Sequence, residues 1–199
     1  MEKSEDMEKF YLERPSMERY NDAVLFINEF IDNNSEIHGV GSLDKYINDY
    51  EKWLKMVDEN WNREVSDVLV PSHTYFFVRH DDNKIVGMID IRLALTERLR
   101  SYGGNIGYSI RPSERGKGYN KLNLYLALKV CDSYGLEKVM LDCDKNNYAS
   151  AHTIMALGGV LTKEEYNEYA DRIVQDYWID VKDAIIKHSK YEDYMYTEV

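Results

Sequence analysis

The chain has 199 residues, and 36 acidic against 25 basic side chains give a formal net charge of -11 at pH 7. That length suits one well-buried core, and two domains would each be unusually small. The charge balance excludes a broad nucleic-acid surface, which needs clustered cations, and no run of about 18 apolar residues offers a membrane span. The acidity suits steering of a cationic partner such as an amine, but first of all ordinary solubility. The first residues, MEKSEDMEKF, are charged and lack the apolar stretch of a secretory signal, so a cytoplasmic location is expected. Cys131 and Cys143, in segments that read as a helix and a strand, form no disulfide framework and are expected as buried thiols.

In chain order, residues 9 to 14 (KFYLER) predict a short strand. Ser16 then stands to N-cap a helix to about Asp32, with Ala23, Val24, Ile27, Phe30 and Ile31 on its apolar face. Helical spacing returns over Ser42 to Trp61 through Leu43, Tyr46, Ile47, Tyr50, Trp53, Leu54 and Val57. His73 to Arg79 and Lys84 to Leu95 are β-branched and aromatic around Asp81-Asp82-Asn83, a hairpin signal, with Gly87 marking a bulge. Gly103-Gly104 leads into a strand over Asn105 to Ile110, and Gly116 to Tyr134 reads as a helix stopped by Gly135. Glu137 to Cys143 is a further strand, Ala149 to Leu157 a helix ended by Gly158-Gly159, and Val160 to Thr162 with Ile173 to Val181 a last hairpin. The tail over 182–199 is charged, helical or frayed. This order describes an α/β fold in one domain over residues 1–199, a single mixed, mostly antiparallel sheet with helices on both faces.

The chemistry concentrates between Asn105 and Gly159. In IGYSIRPSERGKGYNKLNLYLAL an apolar strand runs through a Gly-rich turn into a helix. Unpaired first-turn amides and the helix dipole make such a turn an anion site, and Gly116 and Gly118 let the backbone approach a phosphate closely. Arg111, Arg115, Lys117 and Lys121 gather positive charge in an acidic chain. Gly116-Lys117-Gly118 lacks the third glycine of a dinucleotide fingerprint, and no G-x-x-x-x-G-K-S/T is present. Asp142 to Asn146 resembles the start of a calcium loop, but Asn147 stands for its turn glycine and Thr153 for its final glutamate. No metal is expected.

Arg115 to Asn120 resembles the acyl-CoA turn Q/R-x-x-G-x-G/A of the GCN5-related N-acetyltransferase (GNAT) family, with Asn120 in place of the final small residue. LDCDKNNYASAHTIMALGG is similar to the family's next strand, asparagine, helix and glycine, with Asn147 at the CoA-contacting asparagine. The resemblance implies a GNAT-like acyl-CoA N-acyltransferase fold and an acetyl-CoA-dependent enzyme acting on a primary amine. It also implies that pantetheine pairs with the backbone of Tyr108, Ser109 and Ile110 like an extra strand. Arg115, Gly116, Lys117, Gly118, Tyr119, Asn120 and Lys121 would hold the pyrophosphate, and a backbone N–H near Ile110 the substrate carbonyl oxygen.

An amine that arrives protonated needs a base. Asp90, Asp142, Asp144, Glu36 and His38 are candidates; Asp90 comes first because it lies in an apolar strand, MIDIRL, beside the motif strand, and its alternative reading is a structural pair with Arg92. Many family members carry a tyrosine four residues before the helix-ending glycine as acid for the departing thiolate. Here that residue is Ile154, leaving Tyr108 and Tyr148 as the nearest substitutes. The rival reading is a CoA-binding sensor with little catalysis. A homodimer through the Tyr-rich last hairpin is the partner expectation besides acetyl-CoA and the amine.

Overall fold

Val, Ile and Met crowd Lys84–Arg92, and this segment becomes the central strand of the computed structural model, which describes residues 7–196. It is β3, preceded by β1 (Phe10–Glu13) and β2 (Ser72–Arg79) and followed by β4 (Ile106–Ile110), in an antiparallel sheet of order β1-β2-β3-β4. The residues of β3 are buried on both faces except at its ends. Phe76, Val78 and Met88 pack beneath α1 (Tyr20–Asp32) and, beyond a short α2 (Leu43–Tyr46), α3 (Tyr50–Trp61). Ile89 and Ile91 face the opposite layer, where α5 (Tyr119–Ser133) buries Leu124, Tyr125 and Leu128. A second antiparallel sheet, order β5-β7-β6, comprises β5 (Lys138–Asp144), β6 (Val160–Asn167) and β7 (Arg172–Asp180). It packs on the same layer through α6 (Tyr148–Ala156) and α7 (Val181–Lys187).

Most expected elements are present, with informative differences. The apolar stripe of α1 is Ala23, Phe26, Ile27 and Phe30, while Ile31 faces solvent and Val24 is half-buried. Ser16 makes no side-chain cap; a 3-10 turn over Met17–Arg19 enters α1 instead. The expected helix over 42–61 breaks at a 3-10 turn, Ile47–Asp49, where Asn48 and Asp49 are weak helix formers. Gly87 does mark a bulge: Phe77 pairs with Gly87 but Val78 with Ile85, leaving Val86 of β3 without a partner on β2. A short helix, α4 (Glu97–Ser101), capped by the Thr96 hydroxyl, lies where no element was expected. Strand β6 extends to Asn167 because, as an exposed edge, it needs no apolar alternation. Cys131 and Cys143 are free and buried. The charged tail is helical at α7 and then 3-10 over Ser189–Tyr194; its last residues, 197–199, lie outside the described ones. No helix among the described residues is long and apolar enough to cross a membrane.

The α/β fold is as expected, but the strands form two ladders because β4 and β5 meet at one point only. There the buried Asn105 makes four hydrogen bonds. Its N–H donates to the Met140 carbonyl (2.7 Å) and its Oδ1 accepts from Met140 N–H (2.9 Å). Its carbonyl accepts from Arg92 N–H (2.7 Å) and its Nδ2 donates to the Arg92 carbonyl (2.9 Å). Beyond this junction the two strands diverge and a cleft opens between them. Asn105→Ala strands a buried N–H and a buried C=O, so a loss of about 2–4 kcal/mol in denaturant unfolding is expected, with the loosened cleft binding acetyl-CoA more weakly.

Candidate active site

The register of β4 decides which backbone groups face the cleft. Arg92 N–H bonds the Asn105 carbonyl at one end of the β3–β4 ladder, and Arg111 N–H bonds the Val86 carbonyl (2.9 Å) at the other. Gly107 and Ser109, in register between them, therefore direct both backbone groups to β3. Those of Ile106, Tyr108 and Ile110 point away from it, along the open edge. Of the three residues expected to pair with pantetheine, Tyr108 and Ile110 have their backbone on that edge and Ser109 does not. The buried Ser109 hydroxyl instead donates to the His38 carbonyl and accepts from His38 N–H, both at 2.7 Å. Gly39, at positive φ, rests on the Gly107–Tyr108 peptide, where a Cβ would come within 2.1 Å of Gly107. The loop after α1 is thereby fixed over the cleft.

Past Ile110 the chain turns into α5. Among the described residues, no backbone N–H from Gly116 to Asn120 has a protein acceptor. Gly116 (φ 78°) and Gly118 (φ 82°) adopt left-handed backbone, and a Cβ on either would meet nothing within 4 Å. The result is a run of free amides at the positive end of a 15-residue helix, open to a ligand. It borders a cleft of ≈ 380 Å³ shared with Tyr108, Ile110, Arg115, Lys121 and Asn147.

The expected cations separate into two pairs. Lys121 lines the cleft without an ion pair among the described residues, and Arg115 braces the turn, donating to the Ile110 carbonyl (3.1 Å) and the Ser35 hydroxyl (2.8 Å). Arg111 is buried against Glu29 (3.0 Å), and Lys117 is held by Glu114 (2.7 Å), so neither side chain faces the ligand space. Tyr119 contributes its backbone only, its hydroxyl donating to Glu8 (2.6 Å). Asn120 Oδ1 is buried without a partner. Asn147 caps α6, its Oδ1 accepting from Ser150 N–H (3.1 Å), and its Nδ2 has no protein acceptor among the described residues.

Tyr108 stands where this cleft meets a second one of ≈ 570 Å³, and both are lined by Glu36, His38, Tyr108, Asn147 and Ser150. Its hydroxyl hydrogen-bonds the Ser150 hydroxyl (2.8 Å). Burial pushes its pKa far up, against the pull of Ser150 and Asn120, so the phenol stays protonated. Tyr148 is exposed and Ile154 wholly buried. Asp142, Asp144, Arg92 and Arg172 line the second cleft. Burial raises the Asp142 pKa, opposed by the Gly103 amide that donates to it (2.6 Å). Across the mouth, Arg172 reaches Glu36 (3.3 Å) and Asp144 (3.4 Å).

Asp90, the first-choice base, lines neither cleft. It is buried, accepting from Ser72 (2.6 Å) and Thr74 (2.9 Å) and paired with Arg92 (3.4 Å). The structural alternative is the one present, because its side chain faces β2. Arg92, Arg172 and Ser150 are site residues that the sequence reading did not single out. Only the polar positions around Gly103 and in the last hairpin hinted at them.

The strand with a free edge, the glycine turn of unpaired amides and the capping asparagine all lie within the stretch that matches a known family. The sequence profile of the acetyltransferase (GNAT) family matches residues 40–158, more than half of the chain. The chain belongs to this family. Solved structures of other acetyltransferases share its fold at low identity. The spermidine/spermine N-acetyltransferase SpeG from Vibrio cholerae superposes with TM-score 0.63 at 14% identity, covering 90% of this chain and 98% of its own. The microcin C7 self-immunity acetyltransferase MccE, in complex with acetyl-CoA and AMP, gives 0.64 at 16%, covering 86% and 92%. Mycobacterium smegmatis RimJ, in complex with CoA-disulfide, gives 0.63 at 14%, covering 92% and 93%. No curated protein matches the chain in sequence. Among the described residues, no group of three or more His, Cys, Asp or Glu side chains could hold a metal ion.

Glu114 ties this turn to the β2–β3 hairpin. Burial alone would raise its pKa, but hydrogen bonds from Lys117, Lys84 and Arg79 bring it from an ordinary 4.5 to about 2. The folded-state value lies below the unfolded one, so this stabilisation is complete above about 4.5 and fades as pH falls toward 2. Glu114→Gln is expected to lower stability at pH 7 by roughly 1–3 kcal/mol. The gap from wild type should shrink in urea melts at pH 3.

Proposed function

We propose that the protein transfers an acetyl group from acetyl-CoA to a primary amine by direct attack of the amine on the thioester. The observation that carries this reading is the run of free amides from Gly116 to Asn120, opening onto the unpaired edge of β4. The site suits CoA without needing many cations: the amides and Lys121 meet a pyrophosphate, and the orphaned Asn120 Oδ1 awaits a donor. Bound acetyl-CoA supplies the activated acyl group. The backbone of Tyr108 offers strand-like hydrogen bonds to an extended chain. The Ile110 N–H donates to the carbonyl oxygen under attack, where a fixed donor counts most. Asn147 Nδ2 is a further donor at the junction of the clefts.

Tyr108 takes the part that Ile154 cannot. Its protonated hydroxyl, oriented by Ser150, is the nearest acid for the leaving sulfur. The amine would enter by the second cleft, whose wall carries Asp142 and whose mouth carries Glu36 and Asp144. Polyamines, lysine side chains, peptide N-termini and aminoglycosides are all acceptors to try. Wholly buried Ile154 favours one rival, a CoA-binding sensor without efficient transfer.

Calorimetric titration of acetyl-CoA separates these readings. Micromolar binding, lost in Gly118→Glu, is expected of the cradle. Thiol release with spermidine, a lysine peptide, a serine-starting peptide or kanamycin is expected of the enzyme, and binding without release from any of them marks the sensor. Tyr108→Phe is expected to lower kcat by about 10² to 10⁴ while acetyl-CoA affinity stays within about threefold.

A further inference from the structure

Asp142 on β5 stands directly opposite Asp176 on β7. At one end of that ladder Val181 N–H bonds the Glu137 carbonyl, and at the other Lys145 N–H bonds the Ile173 carbonyl, both at 2.9 Å. Odd-numbered residues of β5 therefore occupy hydrogen-bonded pairs. Asp142 and Asp176 form a non-hydrogen-bonded pair, the kind in which opposed Cα atoms approach to about 4.5 Å and side chains lie closest. Two charged carboxylates so placed repel.

The second observation concerns Asp176 itself. It is only 8% exposed, and among the described residues its carboxylate has no hydrogen bond or ion pair, while its backbone carbonyl also accepts from the Thr162 hydroxyl. Lys163, beside it on β6, is held by Glu165. Asp142, by contrast, is on the wall of the second cleft, one oxygen fixed by the Gly103 amide. The groups facing the pair are Arg92 from β3, His38 from the loop after α1, Tyr102 from the segment after α4, and Lys163 and Glu165 on β6, with the Cys143 thiol adjacent on the opposite face of β5. Glu36, Asp144 and Arg172 stand at the cleft mouth.

We infer that Asp142 and Asp176 work as one proton-sharing carboxylate pair, Asp142 accepting the proton that an ammonium acceptor must lose and Asp176 acting as its positioning residue. The inference rests on the acetyl-transfer reading above. The N–C bond forms as the C–S bond breaks. Of the two protons the ammonium sheds, one goes to the pair and then to water, and the other reaches the sulfur through Tyr108. Burial first, and then Asp142, lifts the Asp176 pKa to about 6, and burial raises that of Asp142, so the pair takes up its first proton as pH falls toward 6.

Carbon-13 NMR of protein labelled at the aspartate carboxyls tests the pair without any ligand. One resonance is expected to titrate near 6, and Asp142→Asn should move it down by about one unit or more. Asp176→Asn should likewise lower the titration of Asp142. Independent titrations near about 3.9, indifferent to the partner's substitution, would overturn the pair. The catalytic part is read with acetyl-CoA and the fastest of the four amines named above. Asp176→Asn should cut kcat about tenfold at pH 7 and move the acidic limb of the rate profile to lower pH, Asp176→Glu should restore both, and acetyl-CoA affinity should hold. An unchanged profile in Asp176→Asn would overturn the assignment. Absence of transfer by the wild type to any of the amines would overturn the catalytic role together with the function it rests on, while the NMR titration still decides the pair.

Discussion

The arrangement of the site depends on one buried side chain. Asn105, just ahead of β4, ties the edge of the first sheet to the edge of the second with hydrogen bonds on both sides, and among the described residues none of β4 bonds β5. Were the two strands paired along their length, the backbone groups of Tyr108 and Ile110 would be consumed. Because the pairing stops at Asn105, those groups stay unpaired with β5, only the Ile110 carbonyl being met, by Arg115, and the space beside them becomes a cleft with two mouths. A single anchored end converts a continuous sheet into a binding site.

The electrostatics follow the same economy. A chain with net charge of -11 has few cations to spend on an anionic ligand, and two of those nearest the turn are already neutralised by Glu29 and Glu114. Positive potential is supplied instead by backbone: unpaired amides ahead of α5, reinforced by the helix dipole and by Lys121. The amine side carries the acidic groups, Glu36, Asp142 and Asp144, tempered by Arg92 and Arg172. On the proposed reading, an ammonium acceptor and an anionic co-substrate meet at Tyr108 from opposite sides.

Much of this was legible in the residues. Strand, glycine turn and helix over Asn105 to Tyr134, and the capping Asn147, have local causes: β-branched runs, positive-φ glycines and a cap residue. What the sequence left open was which way a side chain faces and what it meets. Asp90 in an apolar strand reads equally as base or buried partner, and only the β2–β3 register gives it to Ser72, Thr74 and Arg92. Lys117 and Arg111 look like ligands for phosphate until their carboxylates are located. Asn105 reads as an ordinary strand start, and Asp176 hides in a hairpin whose pairing with β5 spans a long sequence gap. The two ladders, like the helix break at Ile47–Asp49, are tertiary outcomes.

Amide hydrogen exchange resolved at single residues, with and without CoA, tests the central claim most directly. Gly107 and Ser109 amides should be protected in both states, held by β3, whereas those of Tyr108 and Ile110 should exchange fast in the free protein and slow when CoA is added. Tyr108 and Ile110 amides already protected without CoA, or unaffected by saturating CoA, would contradict a β4 edge left open by the Asn105 anchor.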